Sequence, residues 1–368
     1  MKNVLFLPFL NIPSGHHQTA DALMDGLLQL DPDIHCEKMD LLSSKFGKME
    51  RVISSFYLQW IGRFPKSYSH MYSRSVLADR KYAKRFFHYE ALFLRHLKKI
   101  IDDFHPRMIV CTHALPSYLL AKLKASFQMN IPVINVYTDY FIHHLWGKKE
   151  IDYHFVAHSY MKDYLREKGV KEEQIFVTGI PVHPKFTKEE DRLRGMRFHC
   201  GLISGGSTGI GSLEMITEKI RRDDDIHYFV LCGKNKKLYE RLIKQNNPRI
   251  TPLSYISSRE QMNDLYNRVD FIMTKPGGAT VSECLYKKLP IFVYHTLPGQ
   301  EEINFEKLKK FGMVFDFKHW QEETKISPSI LRVLHSKQLS DFLTKVEEYH
   351  KSLSPLEPAG LIKRLMKE

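Results

Sequence analysis

No apolar run in the 368 residues approaches the length needed to cross a bilayer, so any membrane contact is expected at the surface. The first ten residues, Met1 to Leu10, have only a short apolar core that Pro8 interrupts. No small-residue cleavage site follows, which favours a first strand over a secretion signal. Cysteine is sparse and unpaired: Cys36, Cys111, Cys200, Cys232 and Cys284 are far apart, odd in number and never spaced C-x-x-C. That pattern excludes a disulfide scaffold and a cysteine zinc site, and fits reduced core residues in a cytosolic protein. Acidic residues are also in deficit, 42 against 55 basic ones, for a net charge of +13. An acidic partner is therefore expected, and charge alone does not choose between nucleic acid and an anionic membrane. No sequence repeat or low-complexity tract is visible. With 43% hydrophobic and 26% charged residues, the chain has the composition of a globular protein long enough for two domains.

The most informative stretch is Thr274-Lys275-Pro276-Gly277-Gly278-Ala279-Thr280-Val281-Ser282-Glu283. The apolar run Val269 to Met273 predicts a buried strand, Pro276 ends it, the two glycines permit unusual backbone angles, and Ala279 to Lys287 predicts a helix. Free amides and the positive helix end suit phosphate oxygens there, and Glu283, one turn further in, is within reach of a ribose. The alternative is a tight turn without a ligand and a solvated Glu283.

Around this turn the chain alternates strand and helix. Val4 to Phe9, a glycine turn at Ser14-Gly15-His16, and a helix burying Ala20, Leu23, Leu27 and Leu30 form the first unit. Strands are predicted at Met108–Cys111, Val133–Tyr137, Tyr153–Ala157 and Ile175–Thr178, with helices such as Leu115–Phe127 and Ser159–Lys168 between them. Pro181, Pro184 and the charged residues after Phe186 mark a linker. A second cycle follows: strand Phe198–Ile203, a glycine loop from Gly205 to Gly211, helix Ser212–Arg222, strand Tyr228–Cys232, helix Lys236–Gln245, a loop through Tyr255, and helix Ser258–Arg268. Two α/β lobes with parallel sheets, facing one another across a cleft at their carboxyl strand edges, are expected.

Lys45 to Lys99 interleaves thirteen basic residues with aromatic ones such as Tyr57, Trp60, Tyr72 and Phe87, against only Glu50, Asp79 and Glu90. Such a segment suits an interfacial helix on anionic lipid. The same pattern also suits helices packed on the first lobe with solvated basic residues, or a single-stranded nucleic acid surface.

Taken together, Ser14-Gly15-His16, Thr178-Gly179-Ile180-Pro181-Val182, the Gly205 to Gly211 loop, the Thr274 to Glu283 stretch, and Pro298-Gly299-Gln300-Glu301 with Asn304 resemble glycosyltransferase family 28. The resemblance is greatest to diacylglycerol glucosyltransferases and monogalactosyldiacylglycerol synthases. It implies the GT-B fold, two doubly wound Rossmann-like lobes, with a UDP-sugar donor in the second and a lipid acceptor in the first. It further implies inversion at the anomeric carbon without a metal or other cofactor.

Carried over by position, the donor-binding residues are Gly15, Gly205, Gly206, Ser254, Tyr255, Ile256, Pro276, Gly277, Gly278, Ala279, Thr280, Glu283, Gln300, Glu301 and Asn304. Within that set Gly277 and Gly278 meet the diphosphate, Glu283 the ribose, Ser254 to Ile256 the base, and Gln300 and Glu301 the sugar. Ser254-Tyr255 replaces the Gly-Phe usual in relatives, and Ser207-Thr208 replaces a more glycine-rich loop. For Gln300 and Glu301 the alternative is stabilisation of a helix start.

His16 matches the family histidine, a base for the acceptor hydroxyl, or else a helix-start residue bound to backbone; His17 leaves the register open. Asp139 is an alternative base or the partner that orients His16. His143, His144 and Trp146 invite a metal, but the accompanying carboxylate spacing is missing, so none is expected.

The expected organisation is an acceptor lobe over 1–186, a nucleotide-sugar lobe over 187–340, and a helical segment over 341–368 bracing the first lobe. The expected activity is hexosyl transfer to a lipid hydroxyl by a peripheral protein on the cytoplasmic membrane face. The rival is a non-catalytic sugar-nucleotide sensor docking on membranes. Nucleic acid is not an expected partner.

Overall fold

A computed structural model of the chain describes residues 2–9, 14–47, 86–126, 129–188, 199–205 and 213–367. It resolves into two compact units, one of Met1–His183 with Ser352–Glu368 and one of Pro184–Lys351. Most of the basic-aromatic segment, Gly206, and the rest of the Gly205 to Gly211 loop lie outside the described residues.

The first unit is built on six parallel strands: β1 (Lys2–Leu7), β2 (Ile34–Lys38), β3 (Met108–Cys111), β4 (Val133–Val136), β5 (Tyr153–Val156) and β6 (Ile175–Val177), in the order β2-β1-β3-β4-β5-β6. The helices are α1 (Gly15–Leu30), α2 (Leu41–Phe46), α3 (Phe87–Phe104), α4 (Ala114–Ala125) and α5 (Ser159–Glu167). Central strands covered on both faces read as unbroken apolar runs, as Met108-Ile109-Val110-Cys111 does. Val4, Phe6, Val110, Ile134 and Phe155 form a core with Leu23 and Leu27 of α1.

The second unit has the strands β7 (Cys200–Ser204), β8 (His227–Leu231), β9 (Ile250–Leu253), β10 (Phe271–Thr274), β11 (Ile291–Val293) and β12 (Phe315–Asp316), all parallel, in the order β12-β11-β10-β7-β8-β9. Its helices are α6 (Leu213–Thr217), α7 (Lys236–Gln245), α8 (Arg259–Arg268), α9 (Gly278–Tyr286), α10 (Gln300–Lys310), α11 (Ser327–Leu334) and α12 (Lys337–Ser352). Tyr228, Phe271, Phe292 and Trp320 fill its core. Each such side chain taken fully out of water stabilises the fold by roughly 1.5–3 kcal/mol.

The last helix, α13 (Pro358–Leu365), returns to the first unit and places Leu361, Ile362 and Leu365 in the core containing Leu23 and Leu27. Helix α12 runs unbroken through position 341, so the return to the first unit begins at Ser352 instead.

Two local expectations need correction. The helix expected over Ser212–Arg222 is only Leu213–Thr217, because Thr217 Oγ1 donates to the Glu214 carbonyl at 2.7 Å and Asp224 Oδ2 accepts from the Arg221 amide at 2.8 Å, closing a turn. The expected loop through Tyr255 contains β9, an edge strand paired only with β8, where Pro252 removes no ladder bond from a central position.

Candidate functional site

In open α/β sheets, ligands bind outside the carboxyl ends of the strands where the order reverses. In the first unit that point lies between β1 and β3, since β2 and β3 flank β1 on opposite sides. His16 enters there at the start of α1, after Ser14 in extended conformation. Its Nδ1 lies 2.7 Å from the Thr112 carbonyl oxygen, just beyond β3, and 2.9 Å from Thr138 Oγ1, just beyond β4. A carbonyl only accepts, so neutral His16 carries its proton on Nδ1 and keeps the lone pair on Nε2.

Burial lowers the His16 pKa, and the charge of His17 pushes the same way. Asp139 and the Thr112 carbonyl oppose them. The ring of His113 packs edge-on at 4.8 Å between centroids and is held by accepting from the Leu115 amide at the start of α4. Burial, with His16 and His143 as neighbours, drives the His113 pKa well below its usual value, and burial drives His143 down to about 3. Half-buried Asp139 supplies negative charge to His16.

The two adjacent histidines take different partners. His17 turns away, with Nε2 at 3.0 Å from Asp40 Oδ1. The later histidines pack rather than converge: His144 stacks on Phe86, and Trp146 lies against Tyr137. Among the described residues no group of three or more His, Cys, Asp or Glu side chains is disposed to hold a metal ion.

In the second unit the reversal lies between β7 and β10. Buried Gly205 follows β7, and Thr274-Lys275-Pro276-Gly277-Gly278 follows β10. The Gly277 amide donates to the Lys275 carbonyl at 2.8 Å, and Asn304 Nδ2 donates to the Pro276 carbonyl at 3.3 Å, so Asn304 braces the turn from α10. The glycines are not required by backbone angle: Gly277 has φ −77°, open to any residue, and Gly278 is helical. A Cβ on Gly277 would meet no atom of the described residues within 4 Å. The N-cap of α9 is Gly277, which has no side chain to cap the helix, so the amides of the first turn, with Ala279 and Thr280 half-buried, have no partner within the helix itself.

Glu283 is 8% exposed, which rules out the solvated alternative. Tyr266 of α8 donates its hydroxyl to Glu283 Oε2 at 2.9 Å, and Arg259 Nη1 stands 4.0 Å from Oε1. Burial pushes the Glu283 pKa up to about 7 against the opposing pull of Arg259 and Tyr266. Glu301 Oε2 accepts from the Leu297 amide at 2.7 Å, while Oε1 pairs with Lys275 Nζ at 3.2 Å. Half-buried Gln300 opens the same helix. Ser254 and Tyr255 are exposed beyond β9 with Ile256 half-buried, and Lys234 lies over the Tyr255 ring at 5.7 Å.

Reading the sequence left out Tyr266, Arg259, Lys275, Thr112 and Thr138. Arg259 and Tyr266 are seven residues apart, two helical turns, and so share one face; Tyr266 beside Leu265 in a mostly polar helix was the available signal.

The family model described as monogalactosyldiacylglycerol (MGDG) synthase matches residues 16–182, a span that holds both His16 and Asp139. The chain is 40% identical over its whole length, and over 98% of the other protein, to the uncharacterized glycosyltransferase YkoN of Bacillus subtilis (strain 168). It is 28% identical to the processive diacylglycerol beta-glucosyltransferase of the same organism, covering 82% of this chain and 80% of that one. Among solved structures, MurG of Acinetobacter baumannii superposes with a TM-score of 0.60 at 13% identity, covering 100% of this chain and 98% of that one. The chain belongs to family 28 of the glycosyltransferases, in the diacylglycerol-glycosyltransferase-like group with the GT-B fold.

Proposed function

We propose that this glycosyltransferase moves a hexosyl group from a UDP-sugar to the hydroxyl of a diacylglycerol-like lipid, with inversion and without a metal, at the cytoplasmic face of a membrane. The observation that carries the reading is the bond from His16 Nδ1 to the Thr112 carbonyl, which leaves Nε2 as a base at the strand-order reversal. The acceptor oxygen attacks the anomeric carbon, its proton passes to Nε2, and the bond to the diphosphate breaks with its electrons on the leaving oxygen. Asp139 stabilises the imidazolium through its charge.

On the donor side, the first-turn amides of α9 and the positive end of that helix receive the diphosphate's charge, and the open space at Gly277 allows close approach. Glu283 takes the ribose, Gln300 and Glu301 the sugar hydroxyls, and the Ser254 to Ile256 segment, exposed at Ser254 and Tyr255, the base. The lipid acceptor is supported by the diacylglycerol relatives and by α3, which exposes Phe87, Tyr89 and Leu92.

The test is UDP release from UDP-glucose, UDP-galactose and UDP-N-acetylglucosamine, with diacylglycerol vesicles present or absent and with a chelator added. Vesicle-dependent release that survives chelation and yields an inverted glycolipid supports the proposal. UDP binding without turnover on any acceptor overturns it in favour of the sensor.

A further inference from the structure

The donor-lobe reading gives Glu283 a role but does not explain how a buried carboxylate keeps the charge that role needs. We infer that Tyr266 is a positioning residue that, with Arg259, holds the Glu283 carboxylate oriented and ionised for a vicinal ribose diol. This rests on the nucleotide-sugar reading of the second unit and goes beyond it in assigning residues on a different helix.

The geometry is specific. Tyr266 is 1% exposed and its ring packs at a tilt against Phe186, with centroids 5.8 Å apart, so it is fixed by packing. Its hydroxyl donates to Oε2 at 2.9 Å, and Arg259 stands 4.0 Å from Oε1. The two oxygens are thus approached from one helix by two donors of different kinds. Burial, and then the Glu283 charge, holds the Tyr266 pKa well above normal, so the phenol stays a donor throughout the physiological range. Cys284 is the remaining titratable neighbour acting on Tyr266.

A carboxylate accepts from both ribose hydroxyls, whereas a protonated acid gives up part of that capacity to its own proton. With the Glu283 pKa near 7 in the unliganded protein, nucleotide binding competes with protonation. Affinity falls as pH drops through that value, approaching tenfold per unit, because binding must first expel the proton. Removing the Tyr266 hydroxyl takes away a donor to the ionised form, which moves the midpoint upward. At a pH well above the midpoint both proteins hold the carboxylate ionised, and their affinities converge.

The experiment titrates full-length protein with uridine diphosphate and 2′-deoxyuridine diphosphate from pH 6 to 9.5, comparing unaltered protein, Tyr266→Phe and Glu283→Gln. The probe's own terminal phosphate titrates in this range in every arm, so the readout is the difference in midpoint between proteins. The expected result is an upward midpoint shift for Tyr266→Phe, weaker binding at pH 7 that recovers at high pH, and loss of the protein's own pH step in Glu283→Gln. The ribose probe should exceed the deoxyribose probe by roughly 10- to 100-fold in unaltered protein, the scale of a hydrogen bond to a charged group. Merely structural damage by Tyr266→Phe would lower affinity equally at every pH. Uridine diphosphate binding with identical midpoints in all three proteins overturns the inference alone. No binding by unaltered protein at any pH overturns the donor-lobe reading itself, and the inference with it.

Discussion

Asn263 Oδ1 accepts from the ammonium of Lys287 at 2.9 Å, joining α8 to the residue just past the end of α9. Lys287 is fully buried, and its Nζ also donates to the Thr187 carbonyl at 2.8 Å, while Asn263 Oδ1 accepts from the Thr187 amide at 3.2 Å. Asn263 lies four residues after Arg259, as Lys287 lies four after Glu283, so one face of α8 engages one face of α9 at two successive turns. The chain entering the second unit is thereby tied to the end of α9, the helix that follows the Pro276-Gly277-Gly278 turn.

Replacing Lys287 with methionine keeps the apolar stem but leaves the Thr187 carbonyl and Asn263 Oδ1 short of a donor in a buried place. A loss of about 2–4 kcal/mol is expected, read as a lower urea midpoint. Lys345→Ala is the contrast. Its pair with Glu348 is exposed on both sides, 53% and 59%, and its removal should change stability by less than about 0.5 kcal/mol.

His16→Gln should reduce kcat by about 10²- to 10⁴-fold while leaving UDP affinity nearly unchanged. Because burial lowers the His16 pKa, the imidazole stays unprotonated as pH falls through its ordinary 6.5, and the acid limb of kcat should appear below that value. Asp139 raises the His16 pKa, so Asp139→Asn should move the limb lower still while slowing turnover. The profile should be taken at saturating donor, where titration of Glu283 in the free protein no longer contributes. An acid limb unmoved by Asp139→Asn would remove Asp139 from the base's surroundings.

Gly26 of α1 faces Ala359 of α13 so closely that a Cβ on the glycine would stand 2.9 Å from the Ala359 Cβ. Gly26→Ala should gain about 1 kcal/mol of helix propensity but cost about 1–3 kcal/mol in overpacking, for a net loss. Gly26→Ala with Ala359→Gly restores the space, and the two changes should couple favourably by at least about 0.5 kcal/mol in a double-mutant cycle. Simple additivity in urea unfolding would mean that α13 does not press on α1 at this point.

Legibility in the sequence followed burial. Central strands such as Phe271-Ile272-Met273-Thr274 lie beneath helices on both faces and announce themselves as apolar runs, whereas β9, written Ile-Thr-Pro-Leu, is an edge and resembles a loop. The proline-led turn was legible as a strand end, but its glycines do not serve the unusual angles expected of them, since Gly277 has φ −77° and Gly278 is helical. His16 was legible as a candidate and its register was not. Only the fold brings Thr112 and Thr138, 96 and 122 residues away, against Nδ1. Tyr266 escaped notice because its significance lies in a contact between two helices that no local pattern encodes.

The first two turns of α3 expose Phe87, Tyr89 and Leu92, and its next two expose Arg95, Lys98 and Lys99. Among the described residues no helix is long and apolar enough to cross a membrane, so lipid contact through this helix would be interfacial. Each basic residue near an anionic surface contributes about 1 kcal/mol. Lys98→Glu with Lys99→Glu should therefore weaken partitioning onto anionic vesicles by well over tenfold at 0.1 M salt. The gap should narrow at 1 M, where the screening length falls to about 3 Å. Phe87→Ser should weaken partitioning at both salt concentrations, because burial of an aromatic ring is not screened. Neither change touches the second unit, where the donor is proposed to bind, so UDP affinity measured without vesicles should stay constant. Unchanged sedimentation of both variants with anionic vesicles would remove α3 from the docking surface.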